Sequence, residues 1–325
     1  MAGVNGIVQR SAGPLLIGPA LAWMLGACAG PYSSSPIISR LTQAPTLSSG
    51  ASPMSTTNCR RLDDPKYSGQ DELIAINSHG FVLGYDHGSY LARPPYRPKD
   101  YRYLGSYPGT QHTTITGFLD KRVMVGYVTN PGQIKGIWGF IKIKNVWTLV
   151  RDGKGRDNDP VTEILGVNRR GVVVGFYLNR HGAAVPFGLG IASERFTGLQ
   201  PPGAISAEAT AIDDPGAIAG FFAGSDGAVR GFLYQRHVYT ELSYPDSVNT
   251  WFFGIAPGDR IAGSYVDSYN ATHGLLVTNP TSAPQWQSLD IPDAIATESR
   301  GINAKGEIVG DYADALGNTH GFLCK

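Results

Sequence analysis

The fold of this chain is decided by the stretch Gly301-Ile-Asn-Ala-Lys-Gly-Glu-Ile-Val-Gly310-Asp-Tyr312 and by the segment His320-Gly-Phe-Leu323 that follows it. The first strand of this unit ends in a turn, because Asn303 can bond its own backbone and Gly306 supplies a left-handed φ. The β-branched and aromatic residues up to Tyr312 predict a second short strand, and residues 320–323 predict a third.

The same unit recurs five more times, and a glycine in the second strand aligns the copies. These anchoring glycines are Gly84, Gly126, Gly175, Gly220, Gly263 and Gly310. Their successive positions differ by 42, 49, 45, 43 and 47 residues. A period in the forties with short strands is typical of propeller blades, with one four-stranded sheet per repeat. We therefore expect an all-β fold, a six-bladed β-propeller that spans residues 59–325.

Glycine and other small residues hold fixed places in the repeat. Each first strand carries one small residue, at Ala75, Gly117, Gly166, Ala211, Gly254 and Gly301. Small residues are expected where the innermost strands converge on a narrow axis. The recurring strand glycines indicate a close approach of a neighbouring backbone.

The two ends of the chain are predicted to share one sheet. Cys59-Arg-Arg-Leu62 reads like Tyr239-Thr-Glu-Leu242, the fourth strand of the fourth repeat. In that repeat a two-residue turn pairs Tyr234 with Tyr239, and Cys324 and Cys59 fall at the equivalent positions. The N-terminal strand should thus complete the last blade, with a disulfide between Cys59 and Cys324. The alternative is that the two thiols lie apart.

The N-terminal region predicts export. Residues 1–28 form an apolar segment with one charge, and Leu25-Gly26-Ala27-Cys28 resembles the lipobox of bacterial lipoproteins, in which the cysteine is lipidated. An ordinary cleaved signal is the alternative. Residues 29–58 are rich in Ser, Thr, Pro and Ala and predict a flexible tether. The expected location is the outer membrane or cell surface, as a lipoprotein, and the alternative is a secreted or periplasmic protein.

The composition limits the classes of partner. Lys and Arg number 27 and Asp and Glu 26, so the net charge of +1 gives no footprint for nucleic acid. The 42 glycines and 22 prolines favour many short strands and turns over helices. We expect a monomer whose partner is a protein, a glycan or a small ligand, in addition to the membrane that a lipid anchor would reach.

The repeat resembles the bacterial "probable extracellular repeat, HAF family" proteins. The resemblance lies in Gly-Ile-Asn-x-x-Gly-x-Ile-Val-Gly-x-Tyr and in the signature His320-Gly321-Phe322, which is degraded to His273-Gly274-Leu275. The second and third repeats depart from it at Trp138-Gly139-Phe140 and Val185-Pro186-Phe187. The resemblance implies an exported, repeat-built β protein, and it carries no reaction and no catalytic residues.

One set of polar residues is repeated at the level of the first strands. Five residues before the end of each first strand stand Glu72, Thr114, Glu163, Glu208, Trp251 and Glu298. Four carboxylates at one level could hold a hard cation such as Ca²⁺, as in calcium-dependent six-bladed lactonases, or could bind a cationic or sugar ligand with help from Trp251. In the alternative reading, each Glu bonds the backbone of the next blade and has a structural role.

Other candidate sites are weaker. His273 and His320 recur with the repeat, as strand-end hydrogen-bonding residues do more often than ligands. The insertion Arg93-Pro-Pro-Tyr-Arg-Pro-Lys99 could contact a partner or form a rigid solvated loop, and Asp152–Asp159 is a polar turn.

No nucleophile elbow, zinc motif, P-loop or dinucleotide fingerprint is present. We therefore expect a non-catalytic binding or scaffold module at the cell envelope without a cofactor. The alternative is a Ca²⁺-dependent lactonase-like hydrolase that uses the glutamate ring.

Overall fold

The structure is a computed structural model that describes residues 51–325 except residues 68, 111, 133 and 152–159. The predicted export signal, the candidate lipidation site Cys28 and the polar turn Asp152–Asp159 lie outside the described residues. The described residues contain 25 strands and a single turn of 3-10 helix, at Pro98–Asp100. None of their helices has the length and apolar character that crossing a bilayer requires.

The strands are numbered in chain order. The first two are β1 (Ala51–Pro53) and β2 (Cys59–Arg61). Four sheets of four strands follow. Sheet 1 contains β3 (Glu72–Ile76), β4 (Val82–Tyr85), β5 (Ser89–Ala92) and β6 (Tyr101–Tyr103). Sheet 2 contains β7 (Thr113–Asp120), β8 (Val123–Thr129), β9 (Ile137–Ile143) and β10 (Val146–Val150). Sheet 3 contains β11 (Thr162–Val167), β12 (Val172–Leu178), β13 (Ala184–Gly190) and β14 (Arg195–Gly198). Sheet 4 contains β15 (Ser206–Ile212), β16 (Ile218–Ala223), β17 (Val229–Gln235) and β18 (Val238–Leu242).

The last strands join the first two in one larger, nine-stranded sheet. It contains β19 (Asn249–Ala256), β20 (Arg260–Val266), β21 (Thr272–Thr278), β22 (Gln285–Leu289), β23 (Ala296–Ile302), β24 (Ile308–Ala313) and β25 (Thr319–Cys324). Its halves are joined where Thr272 pairs with Ala296. The sequence predicts six separate sheets, whereas the structure has four and this curled sheet, in an all-β, propeller-like arrangement.

The chain ends share a sheet as predicted. β2 pairs antiparallel with β25, so that Cys59 is directly opposite Cys324. The two residues form a disulfide across a sequence separation of 265. The segment before this strand differs from the prediction, because Ala51–Pro53, inside the predicted tether, pairs in parallel with β22. The edge of β22 has unpaired backbone N–H and C=O groups, and the short segment forms hydrogen bonds with them in place of hydrogen bonds with water.

A β-bulge shapes every first hairpin and explains the anchoring glycines. In each one the register shifts by one residue, as between Ile164 and Gly166 in sheet 3. The bulge brings a carbonyl of the first strand onto the glycine of the second. A Cβ built on Gly175 would lie 1.9 Å from the carbonyl oxygen of Glu163, and one on Gly310 would lie 1.9 Å from that of Glu298. The predicted close backbone approach is confirmed at these positions.

The hydrophobic core lies between neighbouring sheets. One cluster packs Leu62, Leu73 and Tyr90 against Val309 and Leu323, which joins sheet 1 to the last strands of the chain. The first strands also approach each other closely at the small residues. A Cβ on Gly301 would lie only 2.9 Å from the Cα of Ala75. The small residues therefore allow these strands to meet, as the sequence predicts.

Side chains also donate hydrogen bonds from one sheet to the next. At the turn after the first strand, Asn77 donates to the carbonyl of Leu119 at 3.2 Å, and Asn168 donates to that of Asp213 at 2.9 Å. Sheets 2 and 4 use a threonine in the bulge instead. Thr116 donates to the carbonyl of Ile164 at 2.6 Å.

The same pattern continues to the end of the chain. Thr210 in sheet 4 donates to the carbonyl of Phe252 at 2.7 Å. Asn303 donates to the carbonyl of Asn77 at 3.0 Å, which bonds the last repeat to the first.

We expect loss of the disulfide to destabilise the protein strongly. The double variant Cys59→Ser/Cys324→Ser should lose roughly 4–5 kcal/mol of unfolding free energy, because the cross-link restricts a very long loop in the unfolded chain. Urea unfolding of the double variant and of the wild type, the latter with and without reductant, measures this loss, and Cys28→Ser is the control. An unfolding free energy that is the same in the double variant and the wild type would contradict the prediction.

The anchoring glycines should tolerate no side chain. Gly175→Ala should cost about 3 kcal/mol or more, since its Cβ would press on a backbone oxygen that cannot move without opening the bulge. The matched control is Gly198→Ala in the same sheet, where a Cβ would have no neighbour within 4 Å. Thermal and urea unfolding of both variants compares them, and equal stabilities would refute the steric explanation.

Candidate functional site

The six residues predicted to share one level occupy equivalent positions in the registers of their first hairpins. Each lies in a first strand directly opposite the residue that follows the anchoring glycine. The pairs are Glu72–Tyr85, Thr114–Tyr127, Glu163–Phe176, Glu208–Phe221, Trp251–Ser264 and Glu298–Asp311. We call the first members of these pairs the inner ring. Consecutive first strands contact each other, including β23 with β3.

Glu163 and Glu208 are adjacent and deeply buried. They are only 1% and 3% exposed, respectively. Burial raises the pKa of Glu163 well above its ordinary value, and the nearby charge of Glu208 raises it further. Burial also raises the pKa of Glu208 to about 8. In the described part of the chain, one oxygen of each carboxyl, Oε1, is buried and has no hydrogen-bond partner.

The carboxylates of Glu298 and Glu72 lie in a different environment, because an arginine lies among them. Arg300 Nη2 is 2.8 Å from Glu298 Oε2, and Arg300 Nε donates to the carboxylate of Asp311. The guanidinium carbon is 5.6 Å from the ring centre of Phe253. Burial lowers the pKa of Arg300, but Asp311, Glu298 and Glu72 more than offset this effect, so that it is raised. The group stays a cation in the interior.

Burial also acts on the glutamates beside Arg300. It raises the pKa of Glu72 to about 8, with Arg300 opposing the rise and Asp311 and Glu298 adding to it. The pKa of Glu298 is raised by burial against the lowering effect of Arg300. One cation thus serves three carboxyl groups on this side of the inner ring.

Sequence analysis missed Arg300. It occupies the bulge position two residues after the ring member, where the other strands have Ile74, Thr116, Leu165, Thr210 and Phe253. A charged residue at this one position, in a row that is otherwise neutral, is the signal that could have found it. Its effect is to make the charge of the inner ring unequal between its two sides.

The other ring members add aromatic and polar groups. The Nε1 of Trp251 is buried without a hydrogen-bond partner among the described residues. Burial raises the pKa of Tyr127, and the charge of Glu163 raises it further. The charge of Glu72 also acts on Tyr127. The four predicted glutamates thus occupy equivalent register positions as two pairs, Glu72 with Glu298 and Glu163 with Glu208, and Trp251 is in the same register.

The inner ring lacks the geometry of a metal site. Among residues 51–325, apart from the positions not described, no group of three or more His, Cys, Asp or Glu side chains could hold a metal ion. Calcium prefers six to eight oxygen ligands, and the arrangement of the four glutamates does not supply them. The glutamates of the inner ring, as they are placed among the described residues, therefore do not fit Ca²⁺.

With this geometry in hand, the fold can be compared with solved structures. A structure described as "putative TolB from Agrobacterium tumefaciens" matches with a TM-score of 0.54 and 11% sequence identity, over 79% of this chain and 90% of that one. TolB from Acinetobacter baumannii matches with a TM-score of 0.50 and 11% identity, over 68% of this chain and 57% of that one. At such identities the likeness shows the propeller fold alone. No family model and no curated protein matches the chain.

A second polar region lies at the other end of the first strands. A pocket of about 130 Å³ is lined by strand ends such as Ile76, Ile212 and Ile302 and by the turns that follow them. Arg169 lies across it. This residue donates to Ser78 at 2.9 Å and to Asp214 at 3.2 Å, and so connects sheets 1, 3 and 4. Its guanidinium is committed to these bonds.

The insertion in sheet 1 is held by its own charges. Asp100 accepts hydrogen bonds from Arg93 at 3.2 Å and Arg97 at 3.1 Å. The guanidinium carbon of Arg60 lies 4.8 Å from the ring centre of Tyr96, which ties the loop to β2. These contacts favour the rigid loop among the two readings of the sequence. Contact with a partner stays a prediction.

The repeated histidines each lie between two carboxylates. His273 is 2.7 Å from Asp290 and 3.3 Å from Asp267. His320 is 3.2 Å from both Asp63 and Asp314. In each case one carboxylate comes from the turn before the third strand and the other from the residues after the fourth strand. Each signature histidine is thus a clamp between two segments of one sheet, and for His320 one of these segments is the N-terminal stretch after β2 that contains Asp63. A hydrogen-bonding role is what the strand-end position predicts.

The clamp of His273 should make stability depend on pH. Burial lowers the pKa of this histidine, but hydrogen bonds with Asp290 and Asp267 outweigh it, so that the pKa is raised above 6.5. A histidine whose pKa is higher in the folded state than in the unfolded state stabilises the fold fully at pH values below its unfolded-state pKa. This stabilisation is lost as the pH rises through its folded-state pKa. The titratable groups that face the ring are Asp267, Asp290 and the stacked Tyr265.

The unfolding free energy of His273→Gln should therefore differ most from that of the wild type at low pH. Urea unfolding between about pH 5.5 and 8.5 measures the difference, which should shrink as pH rises. His181→Gln, at an exposed turn, is the control. A difference that stays constant or grows with pH would show that the histidine acts by packing alone.

Proposed function

We propose that the chain is a six-bladed β-propeller that acts as a non-catalytic binding or scaffold module at the cell envelope. The observation that carries this proposal is the inner ring, where buried polar atoms without partners converge from several sheets. Buried polar groups usually have a hydrogen-bond partner in the protein or an ordered water, and each exception needs an explanation such as a water, an ion or a ligand. A set of such atoms at equivalent positions of several sheets supports a binding role.

The count of six blades is supported by the repeated bulge. The nine-stranded sheet contains two such hairpins, at Phe252/Gly254 and at Ser299/Gly301. Each begins a run of four strands, β19–β22 in one case and β23–β25 completed by β2 in the other. The disulfide between Cys59 and Cys324 would then close the ring of blades.

The cell envelope as location is supported by several observations. A disulfide that joins distant parts of a chain is typical of oxidising compartments outside the cytosol. Residues 1–28 carry an export-type sequence that ends at Cys28, which is proposed as the lipidated residue, with residues 29–58 as a tether apart from the strand Ala51–Pro53. A secreted or periplasmic protein without lipid is the alternative. Membership of the HAF-repeat proteins is part of the same proposal.

The location is tested in a Gram-negative host. The full chain should fractionate with membranes, and Cys28→Ser should be exported but released from them. Met54→Ser, downstream of the candidate lipidation site, is the control. Membrane association that Cys28→Ser leaves unchanged would overturn lipidation as the anchor.

The absence of catalysis is tested with the purified full chain. Lactone and ester substrates should show no turnover above buffer, and neither CaCl₂ nor EDTA should shift the melting temperature, because the glutamates do not form a calcium site. Turnover that Glu163→Gln abolishes would overturn the proposal in favour of the calcium-dependent hydrolase. Glu194→Gln, at an exposed turn, is the control for that variant.

A further inference from the structure

Among the described residues, the inner ring has a neighbouring cation on one side only. Where the last repeat meets the first, Arg300 forms an ion pair with Glu298 and acts electrostatically on Glu72, whose buried Oε2 has no hydrogen-bond partner among the described residues. Across the ring, sheets 3 and 4 bring Glu163 and Glu208 together. The bulge positions that follow these two residues are Leu165 and Thr210, which carry no charge.

This second pair carries an energetic cost. Each carboxyl has a buried Oε1 without a partner among the described residues. A buried acceptor that makes no hydrogen bond loses its hydration without compensation, and two adjacent carboxylates repel each other when both are ionised. A single positive charge with several N–H donors would remove both costs.

The surroundings of Arg300 show what such a group needs. Its guanidinium bonds two carboxylates and lies beside an aromatic ring, that of Phe253. The Glu163–Glu208 pair offers the same elements. Phe176 is opposite Glu163 and Phe221 is opposite Glu208 in the sheet register, and both rings are buried. The cation is the one element of this arrangement that the described residues of sheets 3 and 4 do not provide.

We propose that Glu163 and Glu208 form a binding site for a guanidinium group, which takes the place there that Arg300 takes on the opposite side of the inner ring. This inference rests on the proposed binding function and names its ligand class. A guanidinium suits the site better than an ammonium, because it is planar, more weakly hydrated and able to bond two carboxylates at once. A small molecule and an arginine side chain of a partner protein share this chemistry.

The site should bind its ligand more tightly as pH rises. A guanidinium pairs with carboxylates, so that binding must displace the protons that burial keeps on Glu163 and Glu208 near neutral pH. The other titratable groups that face the pair are Tyr127 from β8 and, beyond it, Glu72. Proton release on binding is a readout that adventitious surface binding would not give.

The experiment is calorimetry of the full chain with methylguanidinium chloride, at constant ionic strength set with NaCl. Saturable binding is expected with a dissociation constant on the order of 1 mM, since two charge-assisted hydrogen bonds are formed. Between pH 6.5 and 8.5 the affinity should increase by more than tenfold, with proton release seen as a dependence on buffer ionisation heat. Methylammonium chloride should bind more weakly.

Two variants and one control locate the site. Glu163→Gln and Glu208→Gln keep the side-chain volume, and each should weaken binding by about tenfold, whereas Glu194→Gln should not. Melting curves confirm that each variant is folded. If one variant does not fold, the other still decides the outcome, together with the proton release of the wild type. The proposal is overturned by a lack of saturable binding, or by equal affinity in the folded glutamine variants.

A second arm separates the two sources of the guanidinium. The peptide acetyl-Gly-Arg-Gly-amide is titrated beside methylguanidinium. Tighter binding of the peptide supports a partner's arginine side chain, and tighter binding of the small ion supports a free metabolite-like ligand. A failure of both probes, while the turnover assay stays negative, would remove this inference and leave the binding or scaffold proposal in place.

Discussion

The contact between a first-strand carbonyl and the opposing glycine is the constraint on which the rest of the structure depends. In five of the six first hairpins the carbonyl oxygen of the ring residue lies about 2 Å from where the glycine Cβ would be. The bulge produces this contact, and it turns the extra residue away from the regular alternation of side chains. Ring and bulge positions therefore fall side by side in every sheet.

This arrangement explains why structure and binding use the same strands. A threonine in the bulge can reach the backbone of the next sheet, as Thr116 does. An arginine there can reach carboxylates of its own and the neighbouring repeat, as Arg300 does. One backbone irregularity thus yields either an intersheet bond or a buried charge network, and a single side chain decides which.

Burying carboxylates is costly, and the two glutamate pairs meet this cost in different ways. A buried ion pair needs good geometry and further hydrogen bonds to offset desolvation. Arg300 provides both for Glu298 and Asp311. Glu163 and Glu208 instead have raised pKa values because of burial, so that protonation relieves their repulsion near neutral pH. When a cation binds, this buried and protonated pair of glutamates would release protons.

Much of this could be predicted from the sequence, because a repeat reports the same environment several times. The alignment of repeats gave the strand order, the register that places Cys59 opposite Cys324, and the common level of the four glutamates. Features that occur only once could not be predicted from the alignment of repeats. The nine-stranded sheet depends on one pairing, Thr272 with Ala296, and on the short strand Ala51–Pro53. Arg300 departs from its repeat, and an average over copies hides such a residue.

The intersheet bonds have a consequence for how such a chain can evolve. In each bond from Asn77, Thr116, Asn168, Thr210 and Asn303, the preceding sheet carries the donor and the next sheet offers only a main-chain oxygen. Every residue has that oxygen, so the receiving repeat needs no matching side chain. A duplicated repeat could therefore join its neighbour at once, and gene duplication could lengthen the array without a compensating mutation at the junction.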